Sequence, residues 1–316
     1  MSAKYLLAPS LFLFACSSSI ADGSAEKGQQ GGSDPIDNAD SIFAPSPAVP
    51  VDGDESTLNI EEPMAEEGSE EKLDDCDATL ELIIRDFKAG HPDFLNGYNG
   101  QDDVGCGMVK PDLLIGSDGS RQPEFQNGRG TGKRSVNEKI VSCQDWDYDP
   151  PDEIQSASSF GDWYANVDGT NVVVEKTLEL TDSGNGKFVY DSEGTAGFFP
   201  VDGLGWADET QGHNFGFTTE AHVRFGYELG QEFEFSGDDD MWIFVNGRLA
   251  LDLGGKHNEL TAKIVFDDLA DELDIVPGQT YNMDIYHAER QPASSNFRVE
   301  TNISCFEVVE VPVVIR

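Results

Sequence analysis

The chain has 316 residues, 60 acidic against 20 basic, giving a formal net charge of -40 and a pI of about 4.1. A field of that sign repels nucleic acid and anionic lipid surfaces and leaves neutral glycans and cations as partners, although a salty habitat would select the same composition. A hydrophobic content of 38% with 10% aromatic residues supports one real core, and the length suits one large all-β domain plus a tail.

In chain order, the first segment resembles export machinery. Lys4 supplies a minimal positive region, Tyr5 to Ala15 is short and apolar, and Leu13-Phe14-Ala15-Cys16 resembles a bacterial lipobox, with Phe14 departing from the small or β-branched residue usual there. Residues 1–15 are therefore expected to be a lipoprotein signal peptide, with Cys16 as the lipidation site and the only membrane contact. Cleavage after Ala21 is the competing reading. Ser17 after Cys16 resembles the signal for sorting to an outer membrane, so the expected location is a bacterial cell surface, with secretion as the alternative. A segment this short cannot span a bilayer as a conventional helix. Residues 16–75 are rich in Ser, Gly, Pro, Asp and Glu, and such a stretch cannot bury enough apolar surface to offset its ordering entropy; a disordered acidic tether is expected.

From Thr79 onward the chain reads as short strands separated by turn residues: 79–84, 171–180, 187–190, 221–229, 232–235, 241–245, 249–253, 262–266, 280–286 and 296–303. Asp267 to Leu273 reads as one short helical turn or a loop. Many short strands with abundant glycine argue for a sandwich or barrel. Between them, 128–135 (Gly-Arg-Gly-Thr-Gly-Lys-Arg-Ser) imitates a phosphate loop, but Asn127 stands where the first glycine is required and Arg134 where Ser or Thr is; a mobile basic loop is expected. Asp182-Ser183-Gly184-Asn185-Gly186 imitates a calcium loop but lacks its oxygen ligands, and a hairpin turn is expected.

The most informative stretch is 237–252, where Gly237-Asp238-Asp239-Asp240 runs directly into a hairpin turning at Asn246-Gly247. A two-residue turn pairs Val245 with Arg248 and brings Met241 opposite Asp252. The acid cluster then meets Asp252-Leu253-Gly254-Gly255, with His257 close by. Three adjacent carboxylates facing a glycine-rich segment form a plausible all-oxygen cage for Ca2+; a solvated acidic turn is the plain alternative. Trp242 alternates within a strand apolar on both faces and reads as core. Trp163-Tyr164, Phe198-Phe199 and Tyr286 could stack on a pyranose ring, and Trp206 in its turn-rich loop is the better exposed platform. Glu289-Arg290 reads as a buried or interfacial ion pair fixing a strand end rather than a catalytic acid.

Removing Cys16 leaves Cys76, Cys106, Cys143 and Cys305, an even set in an exported chain. Cys76 and Cys305 flank the first and last candidate strands and are expected to pair, with Cys106–Cys143 left by elimination.

The run from Ile84-Arg85-Asp86-Phe87 and His91-Pro92-Asp93-Phe94, through 198–200 (Phe-Phe-Pro), 213–220 (His-Asn-Phe-Gly-Phe-Thr-Thr-Glu) and the hairpin, to Ala288-Glu289-Arg290 and 295–301 (Ser-Asn-Phe-Arg-Val-Glu-Thr), resembles the fibro-slime domain. That domain is in turn similar to the protective-antigen-type β-sandwich found in adhesins and sugar-binding modules. The resemblance covers residues 76–306 and leaves 307–316 as a C-terminal tail. It implies a protective-antigen-like β-sandwich in which two successive aspartates joined by a cis peptide, here Asp238-Asp239, hold a calcium ion that ligates sugar hydroxyls. Asp240 is the alternative if the register slips. Backbone carbonyls near Gly254 and Gly255 and the Asn296 side chain are expected to complete the shell.

Neither a zinc-protease nor a serine-hydrolase motif occurs, and the five histidines show no metal-ligand spacing. The expected function is a surface-anchored, calcium-dependent, non-catalytic carbohydrate-binding or adhesion module with a glycan partner. The alternatives are a structural protein of an extracellular matrix or slime, and an unrecognised glycoside hydrolase.

Overall fold

The computed structural model describes residues 76–94, 107–126 and 154–316, apart from positions 196, 207, 208, 211 and 293, together with Gly68, Leu73 and the backbone of short strands at 103–104, 133–136 and 139–142. The expected signal peptide, Cys16, Cys106 and Cys143 lie outside these residues, as does the tether apart from Gly68 and Leu73.

Two sheets carry the fold. The larger is built from β1 (Thr79–Phe87), β2 (Asn171–Glu179), β5 (Phe217–Gly226), β7 (Asp240–Val245), β8 (Arg248–Leu253) and β10 (Thr280–Glu289), in the spatial order β8-β7-β10-β5-β1-β2, with β12 (Glu307–Val308) pairing beside β5. The smaller contains β3 (Thr181–Gly184), β4 (Lys187–Asp191), β6 (Glu232–Gly237), β9 (Leu260–Val265) and β11 (Phe297–Thr301), in the order β9-β6-β11-β4-β3. All pairings in both are antiparallel. The ten expected strands are all present, and the fold is all-β.

Period-two alternation sets what faces what. Along β5, Phe217, Ala221, Val223 and Phe225 enter the main core; along β10, Tyr281, Met283 and Ile285 do; from β7 come Met241, Ile243 and Val245. Phe233, Phe235, Val299 and Ile264 from the smaller sheet fill the other side. The outer face of the larger sheet is covered as well. Trp242 and Phe244 of β7, and Tyr286 and Ala288 of β10, pack there with Phe87, Phe94, Phe160, Trp163 and Tyr164 from the loops and from the short helix α1 (Ala157–Phe160). A strand apolar on both faces must be buried on both faces, and β7 is buried along its whole length.

Three expectations need correction. The hairpin turns at Asn246-Gly247 with Val245 opposite Arg248, as expected, but a β-bulge between Ile243 and Phe244 shifts the register, so Asp252 faces Trp242 and Leu253 faces Met241. The bulge adds a residue to β8 and moves Asp252 one place from its predicted partner. Of the basic stretch 128–135 read as a mobile loop, 128–132 lie outside the described residues, and 133–135 belong to a hairpin pairing Lys133–Val136 with Lys139–Ser142, which the Ser-Val and Ile-Val steps favour. Residues 266–273 form a helix, α2 (Phe266–Leu273), that buries Phe266 and Leu273 and closes with Asp274 in the left-handed region. The imitation calcium loop is a hairpin turn, with Asn185 and Gly186 both at positive φ.

Cys76 and Cys305 are disulfide-bonded across a sequence separation of 229 residues, beside the bridge pairing Asp77 with Phe306. The terminal residues run along the sheet: Val309 N donates to His222 O, and Arg316 N to Asn166 O.

The covered outer face also buries charge. His222 Nδ1 lies 2.6 Å from Asp284 Oδ1, Arg85 donates to Glu220 at 2.8 Å, and Arg121 donates to Asp284 at 3.1 Å. Burial alone would lower the His222 pKa, but the hydrogen bond to Asp284 and the nearby Glu220 carboxylate outweigh it and raise the value to about 9.

Two outcomes follow. Reducing Cys76–Cys305 should lower stability by up to about 5 kcal/mol, the loop-closure value for a separation of this size; denaturant midpoints with and without reductant check it. Because the folded His222 pKa lies above the unfolded value, its stabilisation is full below about pH 6.5 and is lost as pH rises through about 9. Replacing His222 with Gln should flatten the stability profile across that window.

Candidate functional site

The acidic residues sit where the chain crosses between the sheets. β6 ends at Gly237 in the smaller sheet and β7 begins at Asp240 in the larger, so Asp238 and Asp239 make the whole crossing, and the peptide bond between them is cis. Gly237 is required by space: a Cβ there would stand 2.3 Å from Asn296 O and 2.5 Å from the Phe235 ring.

The three consecutive carboxylates have different partners. Asp240 is neutralised: Arg290 Nε donates to its Oδ2 at 2.6 Å and Nη2 to its Oδ1 at 3.2 Å, while Gly255 N donates to Oδ1 at 2.7 Å. Asp239 accepts backbone N–H groups, from His257 at 3.1 Å and Arg290 at 3.0 Å. Asp238 Oδ2 accepts Ser294 Oγ at 2.7 Å and Asn296 Nδ2 at 3.1 Å. Glu289, the last residue of β10, accepts Gln291 N at 3.2 Å through Oε1, while its buried Oε2 has no hydrogen-bond partner.

Arg290, whose guanidinium also lies 5.3 Å from the Trp163 ring centre, does not pair with Glu289 as the sequence suggested. The arginine turns to the outer face and to Asp240, and the glutamate keeps the inner parity of Ile285 and His287. Burial pushes Asp238 up to about 6. Burial drives Asp239 well above the usual carboxylate range, opposed by Arg290 and reinforced by Asp240. Burial, then the charges of Asp239 and Asp238, do the same to Glu289. Among the described residues, the guanidinium bonded here pairs with Asp240, so Asp239 and Glu289 keep their protons well above the usual carboxylate range, and Asp238 up to about 6, unless a cation is shared. His287 donates Nε2–H to the Asp238 carbonyl at 2.8 Å, and burial lowers its pKa to about 4, so it stays neutral and adds no positive charge.

The donor set suits a hard cation. Among the described residues, no group of three or more His, Cys, Asp or Glu side chains is placed to hold a metal ion by itself. A calcium shell here would draw on the Asp238 and Asp239 carboxylates with the neutral oxygens of Asn296 and Ser294 and backbone carbonyls, a mixture calcium accepts. Glu289 Oε2 is the orphaned oxygen such a charge would satisfy. Asp238 and Asp239 are each 2% exposed, but Ser294, bonded to Asp238, is exposed and Asn296 is half-buried, so the cluster has a solvent-facing side.

The remaining predicted residues divide. His257 and Gly255 are brought to the cluster through their N–H groups. Asp252 is fully buried and accepts Trp242 Nε1–H, Gly254 N and Gly107 N; it fastens the base of the hairpin. Gly254 is held by space, since a Cβ would meet the Trp242 ring at 3.0 Å. Trp206 is half-buried near the end of β1, with its backbone N–H donating to Asp86 Oδ2 and the Lys88 ammonium 5.0 Å over its ring. Glu289 and Ser294 were missed. The signal for Glu289 was its parity: it continues the alternating inner face of β10 as a charge where an apolar residue is expected.

No protein-family model matches the chain. It is similar to proteins of Dictyostelium discoideum: 31% identical to protein psiR over 62% of this chain and 21% of psiR, and 33% identical to protein psiD over 66% of this chain and 37% of psiD. The chain thus spans well under half the length of these relatives. Among solved structures it is similar to an anti-sigma factor domain-containing protein, 13% identical with a TM-score of 0.26 over 48% of this chain and 45% of that one. It is also similar to the A domain of epithelial adhesin 6 from Candida glabrata in complex with Galb1-3GlcNAc, 10% identical with a TM-score of 0.25 over 78% of this chain and 88% of that one. At such TM-scores neither likeness carries an argument. The Dictyostelium relatives are eukaryotic and overturn the expected placement as a bacterial outer-membrane lipoprotein.

Replacing Arg290 with Ala leaves Asp240 buried without its counter-ion and should cost about 3 to 5 kcal/mol, read by denaturant unfolding. In chelator, stability should fall as pH rises from about 4 through about 6, because the folded state holds the Asp238 proton longer than the unfolded chain. Replacing Asp238 with Asn should remove that slope.

Proposed function

We propose that this chain is a calcium-dependent, non-catalytic carbohydrate-binding or adhesion module of the fibro-slime type. The observation that carries the reading is the surplus of buried carboxylates at the inter-sheet crossing: Asp238, Asp239 and Glu289 share a site whose bonded guanidinium is committed to Asp240. A bound calcium ion would offset that charge and offer open coordination positions to paired sugar hydroxyls. The chain's own part is to present Asp238 and Asp239 at a rim, to hold Asp239 through two N–H groups, and to lead to solvent past Ser294 and Asn296. The Cys76–Cys305 disulfide suits a domain that folds in an oxidising compartment.

One observation favours a second reading, in which calcium only rivets the crossing of a matrix or slime protein: the two aspartates are almost wholly enclosed. A glycan array run with and without chelator separates them. Calcium-dependent glycan signal is the outcome expected for the lectin, and calcium-dependent stability without any glycan signal for the scaffold.

Both readings require millimolar calcium to raise the thermal midpoint, and Asp239→Asn to remove most of that rise. Equal midpoints in calcium and in chelator would sink both.

A further inference from the structure

A second cleft, of about 470 Å3, opens where the chain leaves β1 and meets the segment around α1. Lys88, His91, Ser158, Asp162 and Thr170 are among its lining residues. In the strand order, β1 stands three strands from β7, a separation of roughly 14 Å at the usual strand spacing.

His91 is the group that calls for a ligand. Its ring packs against Phe87 and Phe94, and its side chain is 4% exposed. Nδ1 accepts Asp93 N–H at 3.3 Å, so in the neutral ring the proton is on Nε2. That buried N–H has no hydrogen-bond partner; Asp162 Oδ2 stands 4.0 Å away. An oxygen atom supplied by a bound molecule would satisfy it, and leaving such a donor bare costs about 1 to 3 kcal/mol.

The charge balance says which oxygen. Lys88 is exposed at the mouth, and Arg316 Nη1 lies 3.3 Å from Asp162 Oδ1 and 3.2 Å from Ser158 O. These two cations match two carboxylates, Asp162 in the lining and Asp93 beside His91, a local balance that contrasts with the 60 acidic and 20 basic residues of the whole chain. The hydroxyls of Ser158 and Thr170 add groups that can donate or accept. We propose that this cleft binds a small hydroxylated carboxylate of the uronic-acid class, whose carboxylate takes the His91 Nε2–H and the Lys88 ammonium while its hydroxyls reach Ser158, Thr170 and Asp162. The site is independent of the acidic crossing and of calcium.

The test titrates the full chain in chelator with glucuronate and with glucose, followed by ligand-observed NMR and by tryptophan fluorescence, which Lys88 reports through Trp206. Saturable glucuronate binding is expected, with glucose weaker by roughly tenfold, the loss of one charge-assisted hydrogen bond. Lys88→Gln, at an exposed position, should weaken glucuronate by a similar factor without moving the thermal midpoint. His91→Gln should also weaken it, in protein whose circular dichroism is unchanged. No saturable glucuronate binding, equal affinity for the two sugars, or an unaltered affinity in Lys88→Gln would each overturn the assignment.

Discussion

The ion pair between Arg290 and Asp240, with both side chains fully buried, is the interaction on which the rim of this sandwich depends. Its guanidinium is bound by the first residue of β7 and lies near Trp163, which comes from the layer covering the outer face. Its own backbone N–H meanwhile holds Asp239. One residue after β10 therefore fixes the start of β7, the orientation of the preceding aspartate and the seating of an external layer. Three consecutive acids of identical chemistry acquire three different roles because only one of them faces that guanidinium.

The same rim gathers the other polar loops. Asp86 at the end of β1 accepts Asn214 Nδ2 at 3.0 Å, and Asp202 accepts Asn214 N at 2.7 Å and approaches His213 Nδ1 at 2.7 Å. The His213 ring stacks on Phe199, while Phe198 N and Ser295 O bond the adjacent loop to the one carrying Ser294 and Asn296. Loops at one end of a sandwich can diversify without disturbing the core, because the strands beneath them are paired and packed independently. The inner face below the rim is aromatic, with Phe198, Phe217, Phe235 and Phe297 around His287. This apolar floor raises the cost of the carboxylates above it.

Much of the fold was legible because it rests on local rules. Alternating or apolar runs located ten of the twelve strands described in the two sheets, β3 and β12 excepted, Asn246-Gly247 located the turn, and the flanking positions of Cys76 and Cys305 located their disulfide. What escaped depends on non-local geometry. The bulge between Ile243 and Phe244 leaves no mark in a strand apolar on both faces, so the register count placed Asp252 one residue away from its true neighbour. The partner of Arg290 was misread for a related reason: neighbours in sequence point to opposite faces of a strand, and Glu289 and Arg290 part company there. The candidate site was legible in its aspartates and in Asn296. Glu289 and Ser294 joined it only once β10 and the loop before β11 were folded against the crossing.

The Cys76–Cys305 bond has a mechanical consequence. Its two Cα atoms are 5.0 Å apart, and among the strands of the two sheets β12 alone lies beyond it, so nearly every hydrogen-bonded pair of the sandwich is enclosed between its ends. Tension applied to the segments before Cys76 and after Cys305 can strip β12 and the residues after it, but it then passes through a covalent bond and leaves the ladders from β1 to β11 unloaded. β1 cannot be peeled from β2 and β5 by a pull at that end, and the rim loops keep their geometry while the chain is under strain. A module that grips a partner under flow or during movement would then lose its grip by ligand release, with its fold still intact.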